Sequence, residues 1–189
     1  MSKRSRKTVA RLSSARDASR LVTVSRSKAV EPLDGYVLAV GSRWCLLLVI
    51  EVGCADGWAC VLTDDVRKVE PVRRQRVSRR LLKLDLQWPP VAEVDLDLDG
   101  TTSDLLRSCA AALPDGLLGV HFEAEPESPL YVGLTVSWRK KTVLWHDVNP
   151  DGRWARKPYR VRYASVTRVE SGGRYLSALQ RVAGRRPER

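Results

Sequence analysis

The side chains best suited to chemistry in this sequence are basic residues interleaved with aromatics. From position 138 it reads Trp138-Arg139-Lys140-Lys141, then Trp145, His146, Arg153, Trp154, Arg156, Lys157, Tyr159, Arg160, Arg162 and Tyr163. Aromatic faces stack bases while Arg and Lys neutralise phosphates, which is the chemistry of single-strand recognition. Trp145 aligns with Ile50 of an upstream copy and is assigned to the core, whereas Trp154 and Tyr159 are expected to form a surface platform. A second cluster, Arg67-Lys68 with Arg73, Arg74, Arg76, Arg79 and Arg80, reads as a helix or linker with one charged face. It suits phosphates, or a solvated face paired with the acidic residues between Asp85 and Asp104.

Other constellations fall short of a site. Asp95-Leu96-Asp97-Leu98-Asp99-Gly100 matches the first half of a calcium loop, but Leu106 stands where a bidentate glutamate belongs. Strand plus helix cap is the plainer reading. His121, Glu123 and Glu125 would share one face of a strand and could hold a metal ion, yet charge on an edge strand gives the same pattern. Gly172-Gly173, between a strand and a helix, offers amides to an anion or makes a plain turn. No nucleophile elbow, helix-start cysteine or glycine-rich phosphate loop is present, so no catalytic residue, metal or cofactor is expected.

These residues are carried by short strands. Leu21-Ser25 alternates at period two; Tyr36–Val40 follows Pro32 and Gly35; the apolar run Arg43–Val52 reads as a strand buried on both faces or strongly bent. Asp56-Gly57 predicts a hairpin turn into Trp58–Leu62, and Val66–Val69 a short fifth strand. Leu84-Asp85-Leu86 and residues 94–98 alternate like edge strands around Pro89-Pro90. Thr101 and Asp104 have capping-box spacing for a helix over 103–112, stopped by Pro114 and Gly116. A second set follows: Leu118–Phe122, Leu130–Ser137, Thr142–Asp147, a turn at Asp151-Gly152, Arg153–Arg162, Val166–Glu170 and a helix over 175–182. Val66-Arg67-Lys68-Val69-Glu70 and Val166-Thr167-Arg168-Val169-Glu170 lie 100 positions apart, while Tyr36-Val37 and Asp56-Gly57 answer Tyr131-Val132 and Asp151-Gly152 at 95. The pattern predicts a duplicated module with five residues inserted before the last strand of the second copy.

This order resembles the Sm-like class of small β-barrels, over Leu21–Glu70 and Val120–Glu170. The positions that carry the resemblance are Asp65-Val66-x-x-Val69 and Ser165-Val166-x-x-Val169. It implies a mainly β (α+β) chain of two tandem five-stranded barrels, over 19–84 and 118–183; composition adds a basic arm or short marginal helix over 1–18, an acidic strand-helix linker over 85–117 and a basic tail over 184–189. Where the typical second Sm motif has glycine after arginine, this chain has Leu62-Thr63-Asp64 and Arg162-Tyr163-Ala164, so the family's RNA-binding loop transfers to no residue here.

Composition sets the outer bounds. The 189 residues are 43% hydrophobic and 29% charged, with a net charge of +11, which suits a folded chain with a sizeable core. Residues 1–28 carry +8, 67–84 carry +7 and 128–189 carry +10, against −9 over 85–127. Arg outnumbers Lys 25 to 8, a ratio that a GC-rich genome also produces. Cys45, Cys54, Cys60 and Cys109 lack zinc or disulfide-scaffold spacing and read as reduced thiols, with Cys45 in the core; the alternative is a Cys54–Cys60 bridge across the Asp56-Gly57 turn. No secretory leader or membrane-spanning run is read, so a cytoplasmic protein is expected. The expectation is a non-enzymatic, bacterial-type adaptor that binds RNA or other single strands. The alternative is a protein-interaction module accessory to a mobile-element, defence or toxin system.

Overall fold

The computed structural model describes residues 3–26, 30–73, 76–85, 88–92, 94–123 and 129–187. The chain divides into two compact units, Met1–Asp99 and Gly100–Arg189, and both run helix, five strands, helix. The first comprises α1 (Lys3–Asp17), β1 (Leu21–Ser25), β2 (Leu33–Val40), β3 (Trp44–Glu51), β4 (Cys54–Leu62), β5 (Lys68–Pro71) and α2 (Arg76–Asp85). The second comprises α3 (Thr102–Ala112), β6 (Leu118–His121), β7 (Tyr131–Trp138), β8 (Thr142–Asp147), β9 (Tyr159–Arg162), β10 (Arg168–Ser171) and α4 (Arg174–Ala183), with a 3-10 turn at Tyr163–Ser165. Among the described residues no helix is long and apolar enough to cross a membrane.

The fold is mainly β with four helices, and its strand pairs are antiparallel. Within the first unit the order is β5-β1-β2-β3-β4, and within the second β10-β6-β7-β8-β9. Neither run is closed by a β4–β5 or β9–β10 pairing among the described residues, so the closed barrels expected from the sequence are not formed. β5 and β10 have four residues each and pair with β1 and β6, and Pro71 of β5 has no N–H to offer.

Alternation along the strands gives each unit two apolar faces, and helices cover them. In the first unit Leu12 and Ala15 of α1 pack on Val22, Val24, Val37, Cys45, Leu47, Val61 and Val66. Residues 3–17, expected as an arm or a marginal helix, therefore form a helix with Leu12 fully buried. The opposite face, Leu21, Tyr36 and Ile50, takes Leu82 of α2. In the second unit Leu176 and Leu179 of α4 cover Leu117, Val132 and Val148. Each fully buried Leu or Val contributes about 1.5–3 kcal/mol of transfer free energy.

One of the two Asp-Gly motifs is used differently than its spacing predicts. The β3–β4 turn is Val52-Gly53, at φ 50° and 84°, and not Asp56-Gly57. Leu48 pairs with Trp58 and Ile50 with Ala55, so Val49 faces both Asp56 and Gly57 in a bulge inside β4. The positive φ of 76° that suits Gly57 to a tight turn also suits it to a bulge. In the second unit Asp151-Gly152 does make the turn, closed by Gly152 N–H donating to Asn149 O at 2.9 Å. Residues 84–86 and 94–98 are not the edge strands expected: Leu84 lies in α2, residue 86 is outside the described residues, and Leu96 and Leu98 are buried in an irregular segment. That segment docks on the start of β3, with Trp44 N–H donating to Leu98 O at 2.9 Å and Ser42 N–H to Asp99 Oδ1 at 2.6 Å. The bond from Ser42 holds Asp99 below the usual carboxylate range, which explains one of the three calcium-loop carboxylates without a cation.

Candidate nucleic-acid interface

The basic residues of the second unit line its edge strand β9 and the two loops that flank it. At one end Arg139-Lys140-Lys141 turns from β7 into β8, held by Arg139 N–H donating to Thr142 O at 2.9 Å and Tyr163 N–H to Lys141 O at 3.2 Å. The Tyr163 hydroxyl donates to Arg139 O at 3.1 Å. At the other end the turn after β8 is fixed by Asn149, whose Oδ1 accepts from Arg153 N–H at 2.8 Å. Arg153, Arg156 and Lys157 project from that loop. The six residues of β8 separate the two ends by about 20 Å at strand rise. Arg160 and Arg162 bridge that distance: two apart on β9, they share one face at a spacing of about 7 Å.

All eight cations, Arg139, Lys140, Lys141, Arg153, Arg156, Lys157, Arg160 and Arg162, are exposed, and among the described residues none forms an ion pair. An exposed charged row on an edge strand also prevents edge-to-edge pairing. The row nonetheless sets exposed cations along β9 and both of its flanking loops, an arrangement that suits a phosphate backbone.

The two aromatics expected to stack bases are engaged elsewhere. Trp154 packs against the buried cluster of Leu117, Val132, Val148, Leu176 and Leu179 beneath α4, donates from Nε1 to Ala183 O at 3.1 Å and lies 5.1 Å from the His146 ring. It is a clamp between loop and helix. Tyr159 is 37% exposed and donates to Asp147 Oδ1 at 3.4 Å, on the face of β9 opposite Arg160. Burial and then the Asp147 charge push the phenol pKa up, and burial raises that of Asp147. A phosphate beside Asp147 would be repelled, so Tyr159 does not belong with the cationic row.

The remaining expected residues belong to the first unit. Arg73, Arg76, Arg79 and Arg80 are exposed, and Arg74 lies outside the described residues. Arg79 stands 5.1 Å from the Trp88 ring centroid and Lys83 5.8 Å, so part of that charge is bound to an aromatic face. The residue that sequence reasoning missed is Arg107, on α3, whose guanidinium lies 4.4 Å from the Trp138 ring beside Arg139. Arg107 is the single cation in the acidic stretch 85–127, and only the packing of α3 brings it to the basic turn.

His121 and Glu123 serve a charge network, with Glu125 outside the described residues. Arg168 Nη2 lies 2.8 Å from Glu170 Oε2 and Nη1 3.5 Å from Glu123 Oε1. His121 Nε2 stands 3.1 Å from Glu170 Oε2 and 2.6 Å from Arg168 Nη2, so one tautomer donates to the carboxylate and the other accepts from the guanidinium. Burial acts to raise the Glu170 pKa, but the His121 hydrogen bond and the Arg168 charge outweigh it and hold the group low. Among the described residues no group of three His, Cys, Asp or Glu side chains is placed to hold a metal ion. Cys45 and Cys109 are buried, which pushes both thiols up to about 12 and leaves them protonated at neutral pH. The chain matches no family model, and no curated protein and no solved structure matches it.

Proposed function

We propose that this chain is a non-enzymatic adaptor of two tandem Sm-like β modules that binds single-stranded nucleic acid, RNA foremost, through its second unit. The observation that carries the reading is the row of eight exposed cations along β9 and its flanking loops, none of them in an ion pair among the described residues. The strand order with the fifth strand beside the first, found in both units, supports the Sm-like assignment. A shallow edge strand with cations on one face suits a flexible strand that can track it more than a rigid duplex. Binding is then dominated by phosphates. Its logarithm should fall with log salt at a slope of about −0.7 per phosphate neutralised on a single strand. Fluorescence anisotropy with labelled oligouridine, the same length of single-stranded DNA and a DNA duplex, each at 50 and 200 mM salt, is the test. Oligouridine should bind most tightly and steeply with salt; no binding at the lower salt would sink the proposal.

A protein-interaction reading is favoured by a different feature. Val77 and Leu84 of α2, and Tyr175 and Val182 of α4, are exposed apolar pairs seven residues apart on their helices, each beside arginines. A pull-down that survives nuclease and high salt, and is lost in Val77→Asp/Leu84→Asp, would favour this reading over the first.

A further inference from the structure

The second unit contains a half-buried carboxylate, Asp147, with aromatic side chains beside it and no ion pair among the described residues. In the ladder Gly133 pairs with Asp147, Trp145 with Tyr159 and Val120 with Tyr131, which puts Val120, Tyr131, Asp147, Trp145 and Tyr159 on one face. Val120 and Trp145 are fully buried and make the floor. The rim is Phe122, Tyr131, Tyr159 and Asp147. Phe122 and Tyr131 have ring centroids 4.8 Å apart at 31°, and Tyr159 joins them through its bond to Asp147 Oδ1. Gly133 leaves the room this face needs: a Cβ there would meet His146 O and Trp145 Nε1.

Asp147 is the unusual member. Arg153, Arg156, Lys157 and Arg160 are its near neighbours in sequence, yet among the described residues Asp147 makes no ion pair. The Trp145 side chain, the Tyr159 hydroxyl donating at 3.4 Å and His146 favour its charged form, but burial outweighs them. A carboxylate taken partly out of water without a counter-charge costs free energy, and burial accordingly raises its pKa. Aromatic faces attract a cation within about 6 Å of the ring centroid, and they favour one whose charge is spread over methyl groups and whose hydration is weak.

We propose that Phe122, Tyr131, Tyr159 and Asp147, on the Trp145 floor, form a receptor site for an alkylated ammonium group. The rings supply the cation–π faces and the carboxylate supplies the counter-charge. The group has two sources, a methylated lysine side chain of another protein or a free quaternary ammonium compound. The site lies on the face of β9 opposite Arg160 and Arg162, so it does not depend on the nucleic-acid reading.

The experiment is an NMR titration of the full chain, following the tryptophan indole and tyrosine ring signals. The probes are tetramethylammonium chloride, butylammonium chloride, choline and a short peptide containing trimethyllysine, with sodium chloride matching ionic strength. Saturable shifts of the Trp145, Tyr131 and Tyr159 signals are expected, with tetramethylammonium at least tenfold tighter than butylammonium. Asp147→Asn, which keeps shape, should weaken binding at least tenfold, while Tyr131→Phe, which keeps the ring, should leave it within twofold. Tighter binding of the peptide than of choline identifies a protein side chain as the source, and the reverse identifies a free compound. Shifts that never saturate, that persist in Asp147→Asn, or that favour butylammonium overturn the proposal.

Discussion

Counted from the bulge that each unit carries in its second strand, between Val37 and Ala39 or between Thr135 and Ser137, the two ladders correspond pair for pair. Gly35 opposite Val49 answers Gly133 opposite Asp147; Leu47 opposite Ala59 answers Trp145 opposite Tyr159; Leu46 opposite Cys60 answers Leu144 opposite Arg160. The glycine is kept because the neighbouring backbone is too close in both units for a Cβ, which would meet Leu48 O or His146 O. The side chains around it are not kept. The first unit fills these positions with Leu47, Ala59 and Cys60, all fully buried, while the second turns Tyr159, Arg160 and Arg162 outward. One ladder thus spends its fourth strand on packing and the other presents it to solvent. The backbone arrangement is common property, and the exposed side chains of the fourth strand distinguish the second unit.

The sharpest break in the comparison is Trp145→Ala. Trp145 is fully buried where the first unit has Leu47, and it carries the Tyr159–Asp147 corner on its floor. Removal should cost about 3–5 kcal/mol, and Leu47→Ala about 2–5 kcal/mol. Urea unfolding of both variants checks this. Equal losses would show that the larger ring adds nothing beyond filling volume.

Next in size is Glu170→Gln. Its counterpart Glu70 makes an exposed 2.8 Å pair with Lys68, whereas Glu170 is largely buried with Arg168 and His121. Breaking the buried set should cost about 3 kcal/mol at pH 7, and Glu70→Gln less than about 1 kcal/mol. The Glu170 pKa is lowered by folding, so its contribution is fully present above the unfolded-state value and is lost as pH falls through the folded one. Parent and Glu170→Gln stabilities should therefore converge in acid. A gap that stays constant down to pH 2 would show that packing, not charge, holds the pair.

Removing Arg160 and Arg162 together, as alanines, makes β9 resemble the uncharged Cys60 and Leu62 of β4. If each contacts one phosphate, the salt slope for oligouridine should fall by about 1.4, with about a tenfold loss of affinity at low salt. Anisotropy at several salt concentrations reads both. An unchanged slope would move the interface off β9.

Much of the architecture was legible in the sequence because it is local. Period-two alternation and the Val66 and Val166 signatures mark the strands, and Thr101 with Asp104 forms the capping box that their spacing predicts. What misled was equating two Asp-Gly pairs 95 apart. Ladder registers place Cys45 against Val143 at 98 and Val61 against Val161 at 100, so the third-to-fourth connection is two residues longer in the second unit, not five. An Asp-Gly pair reports tolerance of positive φ, which a bulge and a turn both require, and only the partner strand tells them apart. The candidate site suffered in the same way. Exposure of Arg139, Lys140, Lys141, Arg153, Arg156, Lys157 and Arg160 follows from their type, but whether Trp154 faces water or α4 depends on where a helix 20 residues later packs.

The smallest expected effect concerns the helices that open the two units. α3 has Thr101 as N-cap, with its hydroxyl accepting from Asp104 N–H at 3.4 Å and Asp104 Oδ2 accepting from Thr101 N–H at 2.8 Å. α1 has no acidic residue in its first turn and carries basic residues near the positive end of its dipole, which is unfavourable there. α3 is therefore stabilised locally as well as by burial of Leu105, Leu106 and Cys109, whereas α1 depends on tertiary burial of Leu12 and Ala15. Thr101→Ala should cost about 1 kcal/mol by chemical denaturation. A peptide spanning residues 99–113 should be measurably more helical by circular dichroism than one spanning 1–18, and Thr101→Ala should erase most of that difference. If the two peptides are equally helical, the capping box contributes only within the folded unit, and the contrast between a locally specified and a tertiary-specified helix disappears.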